Sequence, residues 1–289
     1  MHADSPISGA LVCWGNAWLT GHLGLDEAVD RVERSAGPSL VCAVGTPPPW
    51  QDPESAPSSR SGEGGGNPSP GHGASPARRG AADPAGPNGG MPAEMPLRRF
   101  LAELKIAGLR AFRLALPVAG DPLGLTGPPS FNSAAIEAGE AAIAVLPRGC
   151  VGLIPSQDRR GSSYVGVLWS ALEAAPAAPD VPSLAEAEHA LTMAMHTATE
   201  TLASVEGPRQ AHPGTALKTA DGTLAPGYPA RAHRVAALSA RLSSVLRLAD
   251  ERGLTSAQVS ARGDALRDLD RAVRRARVAA HHAILDPTL

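Results

Sequence analysis

Aromatic side chains make up only 3% of this chain, and lysine is almost missing: Lys105 and Lys218 are the only two among 26 basic residues. The core must therefore be assembled from Ala, Leu and Val. Arginine in place of lysine, beside abundant Ala, Gly and Pro, is what a GC-rich bacterial genome writes. It carries no functional meaning. Cysteine is scarce as well. Cys13, Cys42 and Cys150 each sit in a short apolar run with no repeated spacing, which excludes a disulfide framework. No CxxC or Cys/His cluster suggests zinc, so no metal is expected, and the thiols read as buried and reduced.

Long apolar runs are absent too. The stretch over residues 10–19 is interrupted by Gly15 and Asn16, and nothing approaches the roughly 20 apolar residues of a membrane span. No basic leader precedes it, so no export signal is recognisable and a soluble, cytoplasmic protein with no membrane partner is expected. Net charge is close to balance at −2, which gives no general attraction to nucleic acid. The phosphate-binding patterns GxxxxGK[ST] and GxGxxG, the GxSxG elbow and HExxH are all missing. No cofactor is expected, and whether the chain is an enzyme stays open.

What the chain does have is unevenly spread. Apolar residues reach 43%, enough for a core, yet 28 prolines and 31 glycines are too many for a uniformly packed fold. Between Val44 and Leu97 the only large apolar residues are Trp50, Met91 and Met95. Such a segment cannot bury enough surface to offset its ordering entropy, and residues 46–95 are expected to be a disordered insert. Two strands before it would be too few to fold alone, so the insert interrupts a single domain over residues 1–172.

Around the insert, strands and helices alternate. Residues 10–14 and 40–44 read as strands separated by a helix with Leu25, Ala28, Val29 and Val32 on one face. After the insert come a helix at 97–107, a strand at 111–116, a long loop, a helix at about 133–145, and strands at 150–154 and 164–169. This order predicts an α/β fold: a mostly parallel or mixed sheet with helical crossovers and a terminal antiparallel pair. Residues 173–183 read as a linker. Beyond it, residues 182–289 carry three helical stripes, with capping boxes at Ser183/Glu186 and Thr255/Gln258, which predicts a three-helix unit.

Three features could carry chemistry. The first is the Gly/Pro-rich loop after residue 116, running into a helix near Asn132 or Ser133. Asp121, Thr126, Asn132, Glu137 and Glu140 are its polar groups, and a helix N-terminus offers N–H groups to an anion. With it goes the turn holding Trp14, Asn16, Trp18 and His22. If strands one and three run parallel, both loops open at the same sheet edge and form one crevice. Trp14, Asn16, His22, Asp121, Thr126 and Asn132 are thus the candidate binding residues for a small anionic ligand. Each also has a purely structural reading: Trp as core anchor, Asn132 as helix cap, Asp121-Pro122 as turn.

The second feature is Glu186-Ala187-Glu188-His189, an ExxH spacing used by di-iron bundles, but it occurs once and on the polar side of its helix. The third is the last helix. Residues 226–289 hold eleven arginines against six acids, about +5. Asp264, Asp268 and Asp270 precede arginines at ion-pair spacing, which favours a solvated face over a nucleic-acid surface. The chain is expected to bind a small anion at the sheet edge. The alternative is a non-enzymatic interaction protein that docks a protein partner through its helical unit.

Overall fold

Ile7–Leu19 forms a helix, α1, where a strand is expected over residues 10–14. Burial on both sides is the reason. Leu11 and Val12 enter the core against the sheet, Cys13 and Ala17 enter a second core against the C-terminal helices, and Trp14 touches both. A helix without a broad solvent face keeps no polar stripe, so its period is lost and it reads as a plain apolar run. In this computed structural model the described residues are 6–43, 94–161, 163–176, 180–204, 222–250 and 258–285. The expected insert at 46–95 lies outside them, except for its last two residues.

After α1 come α2 (Leu25–Ala36), β1 (Ser39–Ala43), β2 (Glu94–Pro96), α3 (Leu97–Ile106) and β3 (Ala111–Ala115). Glu94 and Met95, expected within the insert, instead pair with β1. The helix expected over 133–145 is two elements. Helix α4 (Pro129–Ala138) stops at Gly139, whose φ of 75° is a left-handed cap, and β4 (Ala141–Leu146) follows at once. Strands β5 (Gly149–Arg160) and β6 (Tyr164–Ala174) form the expected antiparallel pair, longer than their apolar cores suggest.

The six strands form one mixed sheet in the order β2-β1-β6-β5-β4-β3. Only β1 and β6 run parallel; the other neighbours are antiparallel. Helices α1, α2 and α3 cover one face, burying Leu97, Phe100, Leu101 and Leu104 against Phe112, Leu114, Val151 and Trp169. Helix α4 covers part of the other face through Phe131 and Ala135.

The helical unit consists of α5 (Leu184–Ser204), α6 (Ala230–Asp250) and α7 (Gln258–His282), closed by a 3-10 turn, Ala283–Leu285. The Ser183/Glu186 capping box is formed: the Glu186 N–H donates to Ser183 Oγ at 3.3 Å, and the Ser183 N–H donates to Glu186 Oε2 at 2.9 Å. Thr255, of the second box, lies outside the described residues. Both α5 and α6 pack along α7. Arg231 pairs with Glu188 near the start of α5, and the Tyr228 hydroxyl donates to the carbonyl of His281. The starts of α5 and α6 are therefore gathered at the C-terminal end of α7. No described helix is long and apolar enough to cross a membrane.

Candidate functional site

Strand β3 is the last strand of the sheet, and its outer edge would present unpaired backbone groups to solvent. Side chains from two helices occupy it. Asn16, fully buried on α1, donates from Nδ2 to the Phe112 carbonyl at 2.8 Å and accepts the Phe112 N–H on Oδ1 at 2.7 Å. The Leu114 N–H donates to His282 Nε2 at 2.8 Å, and Arg274 donates to the Leu116 carbonyl at 3.0 Å. The three residues act as a substitute strand. Asn16 is thus a partner of the sheet edge, and not a member of a loop leaving a first strand.

Just past β3 the chain turns back on itself. Val118 and Asp121 exchange both backbone hydrogen bonds across Gly120, whose φ of 82° suits glycine. The turn presents Asp121, whose side chain is 9% exposed, to α7. Arg274 and Arg275 donate to its two carboxylate oxygens at 3.1 and 3.2 Å, and Arg271 lies at 3.8 Å. Arg274 is also paired with Asp270, Arg271 with Asp268, and Arg267 with Asp264. The expected intrahelical ion pairs are formed, but the face is not simply solvated: Arg274 is 14% exposed and clamps the sheet unit.

The other end of the same loop is open. Thr126 Oγ1 donates to the Ala175 carbonyl at 3.0 Å, and the Ala175 N–H donates to the Gly127 carbonyl at 2.9 Å. Asn132, in the first turns of α4, reaches back to accept the Gly127 N–H at 3.0 Å. These bonds hold the loop beside the end of β6 and leave a shallow cavity of about 340 Å³, lined by residues 126–128, 148–150 and 173–176. Thr126 lines it directly, whereas Asn132 shapes its wall. Arg148 and Glu173 stand exposed at its rim, and Arg148 makes no hydrogen bond or ion pair among the described residues.

Trp14 lies under the guanidinium of Arg31 at 5.0 Å and packs into both cores; Trp18 carries Lys105 at 5.5 Å. His22 is exposed in the turn after α1, its ring packed over Gly227. The structure therefore brings Thr126 and Asn132 together and gives Asp121 to α7. The geometric premise for uniting them with Trp14 and His22, a parallel first strand, does not hold. In the ExxH stretch, Glu186 is spent on its cap and Glu188 on Arg231. No group of three metal-binding side chains occurs among the described residues.

Several polar residues take roles that the sequence reading did not assign to them. Glu140, expected in the helix after the loop, caps a distant helix: it accepts the Ser8 N–H at 2.6 Å at the start of α1, where Pro6 offers no side-chain cap. Burial raises its pKa. Arg277 is buried near it, and burial lowers its pKa to about 10. Cys13, buried on α1, has its thiol pushed up to about 12 by burial and accepts the Ala225 N–H. One signal could have located the contact face of α7 beside them. Arg271, Arg274, Arg275, Val278 and His282 recur at helical spacing and mark the α7 face that meets β3.

The description "Rv1486c-like protein, N-terminal domain" matches residues 8–183, and "Rv1486c-like protein, C-terminal domain" matches residues 185–278. The chain belongs to this family. Two relatives from Mycobacterium tuberculosis, the uncharacterized proteins MT1533 of strain CDC 1551 and Rv1486c of strain H37Rv, are each 26% identical over 314 residues, covering 96% of both chains. No solved structure matches.

Proposed function

We propose that this member of the Rv1486c-like family binds a small anionic molecule in the cavity between the β3–α4 loop, the β4–β5 turn and the end of β6. One observation carries the reading: Arg148 stands at the cavity rim without a protein partner among the described residues, while the loop's own polar atoms are satisfied. A ligand anion gains a charge-assisted hydrogen bond there without displacing an existing one. Glu173 opposite supplies an acceptor for a hydroxyl or ammonium group of the same ligand. Thr126 and Asn132 hold the wall; Trp14, Asn16 and Asp121 hold the elements around it. The protein acts in the cytoplasm on this reading.

The test is a thermal-shift screen of phosphosugars, nucleotides and acyl-CoAs, followed by calorimetric titration. A ligand at 100 times its Kd stabilises the native state by about 2.7 kcal/mol. Arg148→Glu is expected to abolish the shift while leaving the unliganded melt unchanged. A ligand that raises the melting temperature of both forms equally binds elsewhere and defeats the reading.

One observation favours a second reading, a protein partner docked on the helical unit. Met193, Leu202 and Val245 are large apolar side chains left exposed on α5 and α6. Pull-down by wild type but not by a Met193→Glu/Val245→Glu variant would support it.

A further inference from the structure

The junction between the end of α7 and the edge of β3 is built on two adjacent histidines, and the geometry of one of them, His282, requires it to be neutral. His282 Nε2 receives the Leu114 N–H, so that nitrogen must carry a lone pair. His281 Nδ1 lies 2.8 Å from the Arg277 carbonyl, which can only accept, so Nδ1 holds the proton. Its Nε2 lies beside Gly9, at the first turn of α1, with no hydrogen-bond partner among the described residues.

We propose that this junction is an acid-released clasp: proton uptake at His282 Nε2 turns an acceptor into a donor facing the Leu114 N–H, and the end of α7 lifts from β3.

The surrounding charges set the direction. Arg113 of β3 and His281 of α7 oppose a positive charge on His282, Arg277 opposes one on His281, and Arg247 of α6 acts on Arg277. The N-terminus of α1, with its partial positive charge, is on the same side of the balance. Glu140, just before β4, is an acid that acts on Arg277, and it is engaged by the Ser8 N–H. Arg274 and Arg275 nearby are neutralised by Asp121 and Asp270. Burial and these cations lower the pKa to about 3 for His282 and about 4 for His281.

An undocked histidine titrates near 6.5. For a group whose pKa is depressed in the docked state, docking is fully favoured above that value. It weakens as pH falls from about 6.5 towards 3, by about tenfold per pH unit for each proton taken up. Glu140, whose pKa burial raises, is relieved by acid and offsets part of this.

The experiment uses the full chain. Nitrogen-15 spectra at pH 6, where a free histidine is mostly charged, should show His282 Nε2 unprotonated. Hydrogen exchange, corrected for intrinsic rate, should show Leu114 losing protection below about pH 5 while Leu153, in the middle of the sheet, keeps it. His282→Gln retains an acceptor oxygen without a titration, and its Leu114 protection should not vary with pH. A folded-state His282 that titrates near 6.5 overturns the proposal. So does joint loss of Leu114 and Leu153, or a His282→Gln protein with the wild-type pH profile. If that variant does not fold, the wild-type ring spectrum and the two amides still decide.

Discussion

The loop between β3 and α4 has two ends with the same kind of sequence and opposite fates. At one end Asp121 is nearly covered and held by arginines from a helix 153 residues away. At the other, Thr126 bonds to the chain just past β6 and Asn132 to its own loop, and together they leave a cavity open. Both ends are rich in Gly and Pro, and both carry one or two small polar side chains. What separates them is the arrival of α7, which is invisible in the loop itself. A polar residue in a loop is therefore a site only where no other element has claimed it.

Breaking the claimed end should cost most. Asp121→Ala takes the carboxylate from Arg275 and leaves the partly covered Arg274 only Asp270 and the Leu116 carbonyl, and a loss of about 3 kcal/mol is expected from urea denaturation. A loss below about 1 kcal/mol would mean the arginines are solvated and the contrast between the two ends is false. Gly152→Ala tests how firmly α4 is fixed behind the open end. A methyl there would sit 2.1 Å from the Phe131 ring, which is fully buried. The overpacking should cost about 2 kcal/mol.

Asn132→Ala removes the bond to Gly127 and should cost about 1 kcal/mol, together with a larger proportional loss of ligand affinity as the wall relaxes. Equal losses in stability and affinity would reduce Asn132 to a helix-end residue. Arg148→Glu should change stability by less than about 0.5 kcal/mol, because the side chain is exposed and makes no bond among the described residues. A substantial destabilisation would place Arg148 on the claimed side of the comparison.

The same distinction explains what the sequence made legible. Helix α5 was readable because it keeps a polar face and an explicit cap at Ser183 and Glu186. Helix α2 was readable from the stripe of Ala28, Val29 and Val32. Helix α1 was not, because two cores consume its surface and erase the periodic signal. Strand β4 was lost because Ala141, Ala142 and Ala144 are better helix formers than strand formers; burial between β3 and β5 overrides propensity there. Of the site, the loop was legible from its turn residues and from the helix start after it. Arg148 and Glu173 were not, since each comes from a different strand end and only the register of β4, β5 and β6 brings them to one rim.

The side-chain seal on β3 also sets a schedule for synthesis. Asn16 precedes β3 in the chain and is ready when the strand emerges, but His282 follows Leu114 by 168 residues. At about 5–20 residues per second, the ribosome delivers that histidine roughly ten to thirty seconds later. During that interval half of the strand edge is finished and half remains a template for another strand. The last helix is thus what retires a pairing surface that the nascent chain carries for most of its production.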